Sequence, residues 1–289
     1  MKTSYLIPVI ALMAAFALSQ NARANLVTNG NFTNVLLPSG SSGTNLSGEI
    51  GTGSTGAGNY LNVVGWTSTG YNYVYTFVGG TNMATAGTKA GGPNAGMPAL
   101  QPSEYANTYM WGTGPSGGAA GGNGGTGNII APPSGGNFLA LDADATSATL
   151  NGPVSQKITG LTIGKVYILK FNWAAAQQES FNGATTESLA VTFGAQTFTT
   201  GTFSLANHAF SGWMQATFAF TATSGTQTLS FLAGGGPSGL PPFVLLGNVD
   251  LEVIPEFSNW MAFAGFGMIC IVFETIRRRR RLKVVSENV

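Results

Sequence analysis

Lys165-Val-Tyr-Ile-Leu-Lys-Phe-Asn-Trp173 is the stretch that decides the fold. Tyr167, Leu169, Phe171 and Trp173 alternate with Ile168, Lys170 and Asn172. A strand turns successive side chains to opposite faces, so the first set shares one face of a sheet. Met214, Ala216, Phe218 and Phe220 alternate in the same way with Gln215, Thr217, Ala219 and Thr221, which predicts a half-buried strand. Leu189, Val191 and Phe193 repeat the pattern. Further strands are expected at Asn137 to Leu141, Val154 to Thr159, Thr228 to Leu232 and Phe243 to Val253. Turn signals separate them: Thr162-Ile-Gly164, Asn182-Gly183, Ser224-Gly225 and Gly234 to Gly239. No segment before residue 254 carries a convincing helical period. Strands and turns at this spacing predict an all-β fold, an antiparallel β-sandwich. A β-helix is the alternative, but no fixed internal repeat supports it.

The first half is less regular. Asn25-Leu-Val-Thr-Asn-Gly-Asn-Phe32 reads as a strand and a turn, with Asn29-Gly30 as the turn. Tyr60 to Val78 is strand-like and rich in Val, Trp and Tyr. Pro38 to Asn59 and Gly79 to Gly136 are glycine-rich and read as long loops. Tyr105, Tyr109 and Trp111 interrupt the second of them.

The two ends carry targeting features. Lys2, the apolar run Leu6 to Leu18 and Ala22-Arg23-Ala24 make a secretory signal over residues 1–24. Export through a Sec-type translocon and cleavage by signal peptidase are expected, leaving Asn25 first. The alternative is an uncleaved anchor. At the other end Phe257 to Ile276 is twenty residues with one charge, Glu274, near its end. As a helix it spans about 30 Å, the thickness of a bilayer core. Arg277, Arg278, Arg279, Arg280 and Arg281 follow, with Lys283 just after. Such a cluster stays on the cytoplasmic side. The expected organisation is 1–24 signal peptide, 25–253 ectodomain and 254–289 tail.

Ile254-Pro255-Glu256-Phe257, the apolar helix and the arginine cluster together resemble a PEP-CTERM sorting signal. Pro255 and Glu256 keep that family's motif, and Phe257 stands where a second proline is usual. The resemblance implies an exosortase-type membrane protease that removes the tail. A permanent C-terminal anchor is the alternative. The ectodomain has its own likeness. Asn25 to Phe32 and Phe243 to Leu251 resemble the first and closing strands of galactose-binding-like jelly rolls, and together with Gly136 to Asp144, Phe171 to Gln178 and Phe210 to Met214 they resemble the exported domain that commonly precedes PEP-CTERM tails. That likeness implies a sandwich of jelly-roll type and a glycan-associated role. In carbohydrate-binding jelly rolls two acidic residues often hold a structural Ca²⁺; Thr33 and Gly247 occupy the corresponding places here.

Charge narrows the function. The formal net charge is +1, but six of the twelve basic residues lie in the tail. The stretch 25–253 has four lysines (Lys89, Lys157, Lys165 and Lys170) against eight carboxylates. With no basic run, a nucleic-acid partner is not expected. The single cysteine, Cys270, sits in the tail, so the ectodomain has no disulfide and no thiol nucleophile.

The chemistry-bearing residues are few. His208 is the only histidine, too little for a histidine-rich zinc site, and no G-x-S-x-G elbow accompanies it. Asp142 and Asp144 form a D-x-D at a strand end, candidate Ca²⁺ ligands with Asn151 or Asp250 as further oxygens. The plainer alternative is that they bond the following turn. Glu179 and Glu187 bracket a loop and would suit glycoside hydrolysis only if their carboxyls stood about 5–9 Å apart. Aromatics give the better hint, because the C–H faces of sugars pack on exposed Trp and Tyr while amides bond sugar hydroxyls. Tyr71, Tyr73 and Tyr75 share a face, and Trp173 is followed by Gln177 and Gln178. Trp173 and Trp213 read as core, and Tyr105, Tyr109 and Trp111 are the candidate glycan-binding set. The expected function is a non-enzymatic, exported surface or matrix protein associated with exopolysaccharide. A purely structural matrix protein and a glycoside-active enzyme are the alternatives.

Overall fold

The structure, a computed structural model, describes residues 24–36, 48–50, 61–75, 77–78, 81–82, 110–111, 129–144, 151–179 and 181–254. The signal peptide, Tyr105, Tyr109, the Pro255-Glu256 motif, the tail helix and the arginine cluster lie outside the described residues. In chain order the strands are β1 (Val35–Leu36), β2 (Gly48–Ile50), β3 (Asn62–Val63), β4 (Thr67–Ser68), β5 (Asn72–Tyr75), β6 (Phe77–Val78), β7 (Thr81–Asn82) and β8 (Phe138–Asp142). Then come β9 (Val154–Thr159), β10 (Val166–Gln177), β11 (Thr185–Phe193), β12 (Gln196–Thr199), β13 (Phe203–Leu205), β14 (Met214–Thr221), β15 (Thr226–Gly236) and β16 (Pro242–Val253). Among the described residues there is no helix, and the paired strands are antiparallel.

Two sheets make the body. The first has the order β14-β10-β16-β8-β5-β2. The second has the order β12-β11-β15-β9-β4, with β13 also paired to β11. Their facing sides enclose the main core. Tyr167, Leu169, Phe171 and Trp173 supply one wall, and Leu189, Val191, Phe193, Leu229 and Phe231 supply the other. These are the alternating residues of the sequence, turned inward as their period requires.

The first sheet has a second apolar face. Tyr73, Tyr75, Phe138, Ala140, Phe243 and Leu245 point outward from it, yet they are buried. Met110 and Ile129, from the chain that precedes β8, pack against them. The centre of this sheet is therefore covered on both sides. That explains why Phe138 to Leu141 and Phe243 to Leu246 read as nearly continuous apolar runs.

Three expectations change in detail. Residues 25–28 form no strand; the segment is pinned by the Leu26 N–H to the Leu251 carbonyl and by the Val249 N–H to the Gly30 carbonyl. Gly234 to Gly236 belong to β15 rather than to a turn. The reason is crowding: a Cβ at Gly235 would sit 2.2 Å from the Thr186 carbonyl oxygen, so only glycine lets the chains pair there. The expected strand Tyr60 to Val78 is divided among β3, β4, β5 and β6. In β16 the inward parity changes midway. Val244 and Leu246 face the main core, and so do Val249 and Leu251. Asn248, at φ 51°, absorbs the extra residue, as a β-bulge does.

Candidate functional site

The strand ends gather the chemistry at one end of the sandwich. β10 finishes at Gln177 beside the start of β16, where the Gln178 N–H donates to the Pro241 carbonyl at 3.2 Å. Asp142 faces Phe243 at the end of β8, and Gly236 closes β15 opposite Thr186 of β11. The loops 178–184, 206–213 and 237–241 leave from this end.

Trp111 is the base of the cluster. Its backbone N–H donates to the Gln177 carbonyl at 2.9 Å, and its indole N–H donates to the Phe181 carbonyl at 2.9 Å. Its ring lies against the His208 imidazole, with centroids 3.7 Å apart and planes 24° off parallel. The sequence points to Trp111 as an exposed loop ring. Instead it is 8% exposed, and one of its faces is covered by His208.

His208 is held from three sides. Its backbone N–H donates to Gln177 Oε1 at 3.1 Å, its Nε2 lies 2.7 Å from Asn182 Oδ1, and its ring rests on Trp111. Its φ of 58° is in the left-handed region, which a non-glycine residue adopts only when its surroundings fix it there. Asn207 Oδ1 accepts from the Gly183 N–H at 2.6 Å, and Gln177 Nε2 donates to the Gly183 carbonyl at 3.2 Å. One stacked pair and a ring of amides thus join three separate chain segments. Asn182 and Asn207 are exposed, while His208, Gln178 and Glu179 are half-buried. The geometry presents hydrogen-bonding edges around an aromatic stack.

The other expected residues take different places. Tyr73 and Tyr75 share a face but are buried in the outer cluster, with Tyr71 packed against it, so they are floor rather than open platform. Trp173 is core, as expected. Trp213 is half-buried against the outer cluster, and its indole N–H donates to the Ile130 carbonyl at 2.8 Å. Glu187 is fully buried between the sheets, where Thr185 donates a hydrogen bond to its Oε1. Of the alternative hydrolase pair, Glu187 is thus buried in the core while Glu179 is half-buried at the loop end. Burial pushes the Glu187 carboxyl up to about 7, against a smaller lowering by the Thr185 bond. Desolvation likewise raises Glu49 to about 7. Asp142 is raised to about 6 by burial, opposed by the Asp144 N–H and reinforced by the Asp144 charge.

The D-x-D turns out to serve the loops. Asp142 Oδ1 accepts from the Asp144 N–H at 2.8 Å, and Asp144 Oδ2 accepts from the Gly239 N–H at 2.9 Å. Asn151 donates to the Ala233 carbonyl. Asp250 lies seven residues along β16 from Phe243, the partner of Asp142, hence about 23 Å away along the strand. It cannot join them. Two carboxylates already bonded to their own loops fall short of the six to eight oxygens that Ca²⁺ takes. Among the described residues no group of three or more His, Cys, Asp or Glu side chains converges on a metal position.

No protein-family model matches the chain, and no curated protein matches its sequence. Solved structures with a similar arrangement exist. The tailspike protein 4 enzymatically active domain of bacteriophage CBA120 is 15% identical, with a TM-score of 0.28 over 44% of this chain, which spans only 17% of that protein. The N-terminal cellulose-binding domain of a Cellulomonas fimi β-1,4-glucanase is 21% identical, with a TM-score of 0.25 over 42% of this chain and 80% of that one. Carbohydrate-Binding Module CBM36, solved with calcium and xylotriose, is 18% identical, with a TM-score of 0.26 over 51% of this chain and 94% of that one.

Proposed function

We propose that this chain is a non-enzymatic glycan-binding protein of the cell surface or extracellular matrix, and that Trp111, His208 and the surrounding amides form its binding end. The observation that carries the reading is the stack of His208 on Trp111, ringed by Asn182, Asn207 and Gln177. A saccharide offers C–H faces to a ring and hydroxyls to amides, and this arrangement offers both partners within one loop cluster. Holding His208 in a left-handed conformation before any ligand arrives lowers the ordering cost of binding. Tyr105 and Tyr109 belong to the same proposal as flanking rings on the segment leading to Trp111.

The signal at residues 1–24 and the Pro255-Glu256, apolar and arginine segments support export and exosortase-type sorting. Intact mass of the surface form tests the sorting; a product that retains Arg277 to Arg281 refutes tail removal. For binding, the test is titration against a broad polysaccharide panel that includes the host's own matrix. Saturable binding that falls about tenfold or more in His208→Ala and Asn182→Ala, with melting nearly unchanged, upholds the site. Failure to bind any polysaccharide refutes it and leaves the structural-matrix alternative.

A further inference from the structure

Among the described residues the first sheet ends on β14, which pairs only with β10 on its path. Backbone groups in an antiparallel pair point alternately toward and away from the partner. The Ala222 N–H and carbonyl both bond to the β10 side, with Lys165 and Gly164. Even-numbered residues of β14 therefore face β10, and the N–H and C=O groups of Gln215, Thr217, Ala219 and Thr221 face outward.

Thr221 shows what this edge accepts. Its N–H donates to Gln196 Oε1 at 3.1 Å, and its carbonyl accepts from Gln196 Nε2 at 2.6 Å. One side-chain amide thus occupies the edge as a peptide unit of another strand would. Beyond it, Ala219, Thr217 and Gln215 repeat the same outward geometry, and their side chains are exposed. The usual guards of an edge strand are missing: between Phe203 and Thr223 there is no Lys, Arg, Asp, Glu or Pro. The sandwich is also open along this margin. Met214, Ala216 and Phe218 are only partly buried, and Phe198, stacked on Phe218 at 5.3 Å, is 38% exposed.

We propose that β14 is a self-association edge, and that its partner is β14 of a second copy paired antiparallel about a twofold axis at Thr217. The sequence complements itself in that register. Thr217 meets Thr217, a favourable cross-strand pair. Gln215 faces Ala219 of the second copy. Ala216 faces Phe218, small against large, with Phe198 beside the ring. About six backbone hydrogen bonds form, two for each of the three outward-facing pairs. No like charges meet. The inference is independent of glycan binding, and such pairing would double the number of binding ends per assembly.

Cysteine trapping on the purified full chain in a Cys270→Ser background tests the register. Directly opposed, hydrogen-bonded residues lie about 5.5 Å apart at Cα, inside the roughly 4.4–6.8 Å that a disulfide spans. Thr217→Cys should cross-link to a dimer on treatment with a thiol oxidant. Ala219→Cys, equally exposed, would have its twin about 15 Å away and should cross-link at least about tenfold more slowly. Equal rates, or no dimer from Thr217→Cys, overturn the proposal. Sedimentation of the chain without added cysteine gives a second reading. Thr217→Lys places two like charges at the axis and should weaken the dimer about tenfold or more. A dimer that Thr217→Lys leaves intact overturns the proposal as well.

Discussion

The two sheets are built on different principles. In the second sheet β11 alternates strictly: Thr185, Glu187, Leu189, Val191 and Phe193 are buried, and the residues between them are half-exposed. In the first sheet every residue of β5 and β8 is buried. One sheet has a single dry face, and the other is dry on both sides at its centre. The dry outer face is made by Met110 and Ile129 arriving from elsewhere in the chain, and Met110 immediately precedes the tryptophan of the candidate site. The lesson is that the candidate site is anchored where the sandwich acquires an additional core.

The sharpest way to break this comparison is to truncate one aromatic on each side. Phe231→Ala removes a ring from between the sheets, and Phe138→Ala removes one from the outer cluster. Each is expected to cost about 3–5 kcal/mol in urea unfolding, because both leave a cavity in packed surroundings. A cost under about 1 kcal/mol for Phe138→Ala would mean that the outer cluster is not a true core.

Acidity separates the faces next. Glu187 belongs to the inner face of the second sheet, while Glu49 stands opposite Tyr73 on the first. Both carboxyls are pushed up to about 7, and Asp142 to about 6. A raised folded value means that the folded state holds the proton more tightly than the unfolded chain does. These groups therefore cost nothing well below pH 4. Their penalty grows as pH rises through 5 and 6, and it is complete above about 7. Stability should fall between pH 5 and 8. Glu187→Gln is expected to recover about 1–3 kcal/mol at pH 8 and little at pH 4. Melting across that range checks it, and an identical gain at both pH values contradicts the assignment.

A smaller effect is expected at the join between the outer core and the loops. Trp111→Phe keeps a ring but loses the bond to the Phe181 carbonyl. It should cost about 1 kcal/mol and weaken saccharide binding more than it lowers the melting point. The smallest effect expected is that of chelation: EDTA should leave the melting midpoint unmoved, since the Asp142 and Asp144 oxygens already serve backbone N–H groups. A clear drop would install a structural calcium.

Sequence reasoning reached the one-sided strands best. Val154 to Thr159 matches β9 residue for residue, and the Met214 to Thr221 alternation matches β14. Period two is a local signal, carried by each strand alone. The outer core was not legible, because its apolar runs look the same whichever segment covers them. The candidate site was legible only in pieces. Trp111, Gln177 and His208 each carry chemistry, but nothing local says that residues 66 and 31 positions apart meet. Contact between them depends on loop closure, which the pattern of a single strand does not encode. The Asn182-Gly183 turn was the nearest available signal, and it proved to be the hinge of the amide ring.

β16 lies between β10 and β8, and the chain beyond Val253 continues directly from it. Its hydrogen bonds run across the strand to both neighbours. Tension arriving from the C-terminal side therefore pulls along the strand and loads both ladders together in shear, instead of peeling bonds apart singly. A load applied to the chain beyond Val253 would thus be carried by a central strand of the first sheet.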